Sequence, residues 1–311
     1  MKLKSPVGIM FHNFHDQNFF KKSLGSISSS KFKKIINKFE KKNIVDPRTF
    51  VSNFNLKKPK SNLYCLTFDD GLKSQIKIAL PILKKEKIKA FFFIPTSIIT
   101  TQPNLMELYR YFRDNYFVNF NDFYKDFLLF VKKVKKKSNL EFFLKEKQKL
   151  IIKRKKDYPF YSLKEIQFRI IRDIYLNKKT YEKVMLLMFK SKNFNYRNFL
   201  KKFYLNARDI KKIEKEGHTI GLHTHNHPMM LEKLSYSKQK KEFLKNLRIL
   251  KKIIDQKIIS ASFPTGSYNR NTINILNSLN IEICFRDNNK SIKLINKNFE
   301  IPRINHSEVK I

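Results

Sequence analysis

Four of the seven histidines in this 311-residue chain, His218, His223, His225 and His227, fall within ten residues. His223 and His227 are four apart, a spacing that lets both imidazoles reach one metal ion where a strand passes into a helical turn. Far upstream, Asp69 and Asp70 stand side by side in Leu66-Thr67-Phe68-Asp69-Asp70-Gly71. Two adjacent carboxylates that both stay ionised are costly without a partner, and a cation is the natural resolution. Two histidines and one carboxylate leave coordination positions open for water, as a catalytic zinc site requires. A third string, Ala261-Ser262-Phe263-Pro264-Thr265-Gly266-Ser267-Tyr268-Asn269, carries a Pro-x-Gly bend that can wall a pocket and present backbone N–H groups. His225 reads as a neighbour of the ligands or a solvent-facing residue, and His218, at the start of its strand, as structural.

The elements that must position these residues alternate. Strands are predicted at Val7–His12, Leu63–Phe68, Ala90–Ile94, His218–His223, Ile258–Phe263 and Ile281–Phe285. Helices are predicted at Ser30–Lys42, Ser74–Lys85, Ala207–Glu216, Lys238–Ile254 and Asn271–Leu279. Such alternation argues for an α/β fold with a parallel sheet or barrel. Asp69 and Asp70 then lie at the C-terminal end of a strand, where such folds bind ligands. From Leu105 to Asn206 β patterning gives way to Phe, Tyr, Leu and Lys at helical spacing. That segment is expected to be a helical insertion, residues 105–206, packed on a core made of residues 1–104 and 207–311.

Composition narrows the function classes. Lysine plus arginine number 66 against 26 acidic residues, a formal charge of +40. This fits either a polyanion binder or a lysine-biased lineage, and the lysines are spread along most helices with no single tract. A hydrophobic fraction of 41% with 30 Phe excludes disorder. Two cysteines, Cys65 and Cys284, exclude a disulfide framework or a Cys-rich zinc knuckle. No apolar run approaches the ~18 residues of a membrane span. The apolar stretch Val7–Phe11 is too short for a secretory signal, so a cytoplasmic location is expected.

The three strings, in this order, resemble the polysaccharide deacetylase (NodB-homology) family of carbohydrate esterases. Thr67-Phe68-Asp69-Asp70-Gly71 matches its first motif, and His223-Thr224-His225-Asn226-His227 its second. Phe263-Pro264-Thr265-Gly266-Ser267-Tyr268-Asn269 is similar to the variant third motif of members acting on bacterial surface polysaccharide. The resemblance covers roughly residues 60–100 and 205–305. It implies a distorted (β/α)7 barrel with one divalent cation, usually Zn2+, held by Asp70, His223 and His227. It also implies Asp69 as general base and a backbone N–H near Tyr268 at the oxyanion. The family's third motif carries an Arg that orients the base. Ser262 holds that position here, and Arg303 is the candidate to replace it from a nearby strand or to contribute to the substrate and oxyanion side. The family's general acid comes from a Leu-x-His motif. Met10-Phe11-His12 fits a circularly permuted form, which favours His12 over His306; His15 and Asp16 either line the same mouth or belong to a surface loop.

The function expected is metal-dependent removal of an N-acetyl group from a sugar of a surface polysaccharide or its precursor. No specific nucleic-acid partner is expected, although peripheral contact with an anionic membrane fits the charge. An iron oxygenase with two histidines and one carboxylate has no need of the second aspartate. A catalytically inactive nucleic-acid or anionic-membrane binder on the same fold is the remaining alternative, and its support is the +40 charge alone.

Overall fold

The computed structural model describes residues 6–54, 56, 60–100, 103, 105–136, 139–157, 159, 161–288 and 294–310. The basic start of the chain, residues 1–5, lies outside them. Chain contacts divide the molecule into two compact units, one of residues 1–104 with 201–311 and one of residues 105–200.

The first unit is built on strands β1 (Val7–Phe11), β2 (Phe14–His15), β3 (Ile27–Ser28), β4 (Tyr64–Phe68), β5 (Ala90–Ile94), β6 (Thr219–Leu222), β7 (Ser260–Ser262), β8 (Ile283–Phe285) and β9 (Arg303–Asn305). Seven of them form one sheet in the order β8-β7-β6-β5-β4-β1-β9, every pairing parallel. Strands β2 and β3 form a separate two-residue ladder. Ile301, just before β9, pairs with Phe285, and the exchange of Arg286 N–H to Ile301 O (2.9 Å) and Ile301 N–H to Cys284 O (3.0 Å) brings the two ends of the sheet together. The result is a distorted (β/α)7 barrel. Strands β1, β4, β5 and β8 read as near-continuous apolar runs because parallel sheets are covered on both faces, and the polar strand β7 (Ser-Ala-Ser) is likewise buried throughout.

Helices of this unit are α1 (Ser29–Lys38), α2 (Pro47–Phe54) and α3 (Leu80–Lys85), the last preceded by a π-helical turn at Gln75–Ala79. Helix α2 brings Phe50 and Val51 against Cys65, Phe91, Phe93 and Phe285, forming an apolar cluster with these barrel strands. Gly221 in β6 permits this packing, since a Cβ there would lie 2.5 Å from the Phe93 ring. No helix among the described residues is long and apolar enough to cross a membrane.

The second unit is helical: α4 (Met106–Asn115), α5 (Phe120–Val134), α6 (Leu140–Glu146), α7 (Gln148–Asp157), α8 (Leu163–Ile170) and α9 (Lys178–Ser191), with α10 (Tyr196–Phe203) running across its boundary. Its aromatic residues make a core of their own. Phe112, Phe123, Phe127, Phe168 and Phe189 are buried together, with Phe127 and Phe168 edge to face at 4.9 Å. Deleting a fully buried ring removes its transfer energy and leaves a cavity, so Phe127→Ala should cost about 3–5 kcal/mol. Urea unfolding checks this; a change within 1 kcal/mol would mean the ring is not in a packed core. Three helices return to the barrel: α11 (Ala207–Lys215), α12 (Tyr236–Leu250) and α13 (Arg270–Ser278).

Candidate active site

Along β4 the side chains alternate, so Thr67 and Asp69 share one face. Both meet Arg303, which rises from β9 and is 1% exposed. The guanidinium grips Asp69 as a fork: Nη1 donates to Oδ1 and Nη2 to Oδ2, both at 2.8 Å. Ser262 Oγ, at the end of β7, donates to Oδ2 at 3.1 Å and accepts from Arg303 Nη2 at 2.7 Å. Arg303 Nε in turn donates to the Arg286 carbonyl. Burial pushes the Asp69 carboxyl upward, but Arg303, with His223, outweighs it and holds the group below the usual carboxylate range. Three of its four lone-pair positions are engaged, one on Oδ1 and two on Oδ2; one on Oδ1 is left over.

Asp70 takes another direction because its backbone is left-handed, with φ 73°, followed by Gly71 at φ 63°. This is a turn that glycine adopts freely and aspartate at a cost. Gln75, from the π turn, anchors it by donating to the Asp69 carbonyl (2.5 Å) and the His12 carbonyl (2.9 Å). The turn delivers Asp70 Oδ1 to 3.5 Å from His223 Nε2 and 3.3 Å from His227 Nε2. Donors about 3.4 Å apart are the edges of a tetrahedron with bonds of about 2.1 Å, the size of a zinc site. His223 Nδ1 lies 2.9 Å from the Ser262 carbonyl, which can only accept. Nδ1 therefore carries a proton, and Nε2 is the nitrogen turned to the cluster, able to offer a lone pair to a cation when it carries no proton itself. Asp70, His223 and His227 are all buried, and the two hydrogen-bonding imidazoles overcome burial to hold the Asp70 carboxyl well below its ordinary range. The donor set fits a divalent cation.

The remaining sequence candidates separate. His12, half-buried at the end of β1, lies within electrostatic reach of both aspartates. His306 packs on Phe11 with Nε2 2.9 Å from the Gly25 carbonyl, so that nitrogen carries its proton. Burial, with His12 and Lys31, pushes His306 down to about 4. His225 is outside the Asp70-His223-His227 group; its Nδ1 sits 2.9 Å from Thr96 Oγ1. His218 accepts from Ala90 N–H at 3.1 Å and is pushed down to about 4 by burial and Lys89. His15 sits 2.9 Å from Ser26 Oγ, and Asp16 accepts from Asn18 and Phe20 N–H. Tyr268 stacks on Phe263 at 4.3 Å and donates its hydroxyl to Glu300 at 2.7 Å; burial and that carboxylate raise the phenol, which stays neutral. Arg303 spends its guanidinium on Asp69, Ser262, Thr67 and the Arg286 carbonyl, behind the carboxylate and not on an open surface.

His218 and His306 set an acid limit. Their folded values near 4 lie below an unfolded value of about 6.5, so the stability they contribute is complete above pH 6.5 and lost as the pH falls towards 4. His306→Gln, which keeps a donor for Gly25 but cannot charge, should flatten the fall in urea midpoint between pH 6.5 and 4. An unchanged slope would rule His306 out as a cause.

Sequence reasoning missed α12 as a support of the histidine loop. Glu242 and Asn246, one turn apart, bond to the backbone of His223, His225 and Asn226. Glu242 is the only carboxylate in that Lys-rich helix, a signal available in the sequence.

Seven parallel strands thus bring a buried Asp-His-His cluster that could hold a cation together with an arginine-clamped aspartate at their C-terminal ends. The chain belongs to the polysaccharide deacetylase family, whose profile matches residues 56–112 and 174–284, more than half of it. In fold it is similar to IcaB from Ammonifex degensii (14% identity, TM-score 0.57, covering 98% of this chain and 95% of that one). It is similar also to the Streptococcus pyogenes deacetylase PplD, solved in complex with acetate (18%, 0.55, 98% and 93%). A third is the de-N-acetylase from Aggregatibacter actinomycetemcomitans (13%, 0.52, 96% and 93%). No curated protein sequence matches the chain.

Proposed function

We propose that the protein is a metal-dependent hydrolase that removes the N-acetyl group from an N-acetylated sugar of a surface polysaccharide or its precursor. The observation that carries this reading is the pairing of two neighbouring aspartates with different partners, Asp70 with two imidazoles and Asp69 with a bidentate arginine. Family membership supports deacetylation as the reaction, and the acetate in the S. pyogenes structure supports an acetyl group as what such a barrel handles.

Asp70, His223 and His227 hold the cation, most simply Zn2+, which when bound polarises the acetamide carbonyl and acidifies the attacking water. Asp69 accepts the water's proton on its remaining Oδ1 lone pair. Arg303 and Ser262 fix the carboxylate's plane and keep it ionised, so it is available as a base at neutral pH. A backbone N–H near Tyr268 stabilises the oxyanion. The departing amine needs a proton, and His12 supplies it. His306 is a poor acid at neutral pH, being neutral with its N–H committed to Gly25.

Mass spectrometry of a panel of N-acetylhexosamine oligomers incubated with the protein tests this reading. Products that have lost acetyl groups, at a rate abolished in a His223→Ala/His227→Ala variant, are expected. Intact oligomers throughout the panel, with acetate released from a non-sugar amide instead, would reject the sugar assignment. His12→Ala should keep its metal and lose less activity on acetyl esters, whose leaving group is better, than on acetamides. An equal loss on both substrates would remove His12 as the acid.

A further inference from the structure

The loop that carries the two histidines is held in an unfavourable shape. Thr224 and His227 both have left-handed backbones, φ 60° and 52°, a region that β-branched and bulky residues avoid. Inside the loop, Thr224 Oγ1 donates to the His223 carbonyl (2.6 Å) and accepts from His227 N–H (3.1 Å). The rest of the restraint comes from one face of α12. Glu242 Oε2 accepts from His225 N–H (3.1 Å) and Asn226 N–H (2.7 Å), while Oε1 accepts from Asn226 Nδ2 (2.7 Å). Asn246, fully buried, accepts from His223 N–H (2.9 Å) and donates to the Ile94 carbonyl (2.9 Å) and Thr96 Oγ1 (3.1 Å). Asn246 thereby rivets the ends of β5 and β6, and Glu242 gathers the N–H groups of the turn between the two imidazoles. Thr96 and Ser97 close the frame from β5 through His225 Nδ1 and the His225 carbonyl, both at 2.9 Å.

We propose that Glu242 and Asn246 are positioning residues for the metal site, holding the His223–His227 loop in its ligating conformation before a cation arrives. The inference rests on the metal reading above. Neither residue belongs to the Asp70-His223-His227 group; both act through the backbone from which the two imidazoles project. Their loss frees the loop to relax its left-handed residues, and binding must then restore that conformation. Partners of this kind are worth about 10- to 100-fold in metal affinity.

The test is zinc affinity of the full-length, metal-free protein, measured by competition with a chromogenic chelator well below the thermal midpoint of each variant. Glu242→Ala should weaken binding by about 10- to 100-fold. Glu242→Gln, whose carbonyl oxygen can still accept the two backbone N–H groups, should recover to within about threefold of the parent. Lys241→Ala, an exposed change on the same helix, should have no effect. Equal zinc affinity in Glu242→Ala and the parent overturns the positioning role alone, as does a lowered thermal midpoint with unaltered affinity. A parent that takes up no zinc overturns the metal reading, and this inference with it.

Discussion

Asp69→Asn should lower deacetylation at least ~100-fold per metal-loaded chain, the scale of a general-base contribution. Zinc content should stay at one per chain. The expectation follows from the division between the neighbouring carboxylates: Asp70 faces the imidazoles, whereas Asp69 faces Arg303 and Ser262. Asparagine keeps the shape but cannot take a proton, and its amide nitrogen meets one Arg303 donor head on. Some stability is therefore lost too, and the rate must be referred to folded, loaded protein. Asp70→Asn should lose metal and activity together. Wild-type rates for Asp69→Asn would remove the proposed mechanism, while loss of zinc on that change would mean the two aspartates are not divided as described.

Arg303→Met should lower stability and narrow the pH range of activity. Asp69 is 2% exposed and Arg303 1%, so removing the guanidinium leaves a carboxylate buried without its cation. Breaking a buried pair from one side costs about 3–5 kcal/mol. The carboxyl should also move upward once burial is no longer opposed by Arg303, shifting the acid limb of the activity profile to higher pH. Arg303→Lys cannot restore the fork, because a point charge donates to one oxygen at a time. Arg303→Met with Asp69→Asn should recover much of the stability, since the buried charge is gone, but none of the activity. Urea unfolding and a pH–rate profile read both effects. A single Arg303→Met change costing under 1 kcal/mol would show that the pair is hydrated in solution.

Much of the barrel could be read directly because β1, β4 and β5 are short apolar runs that end just before His12, Asp69 and Pro95. What was read poorly has physical reasons. The first helix was expected to reach Lys42 but stops at Lys38, where Phe39 turns extended. The helix expected at Lys238–Ile254 begins two residues earlier and ends at Leu250. Helix α2 was missed although its start is marked: Asp46 accepts from Arg48 and Thr49 N–H, and Pro47 needs no donor. The histidine and aspartate strings were legible because each string is local in the sequence, even though the cluster joins the two. Arg303 was visible only as a candidate, since its bond to Asp69 spans 234 residues and depends on β9 lying beside β1. For α12 the lone carboxylate Glu242 was a signal, but its partners were not legible, because helical periodicity reports which face is buried and not which backbone N–H a glutamate will meet.

Deacetylation is proposed to depend on a cation held by Asp70, His223 and His227. The most direct test of that dependence is acetate release from an N-acetylhexosamine oligomer by metal-free protein titrated with zinc. No acetate should appear at the start, release should rise linearly to a break at one zinc per chain, and no rise should follow in His223→Ala or His227→Ala. Full acetate release from metal-free protein, or an unchanged titration in either histidine variant, would contradict it.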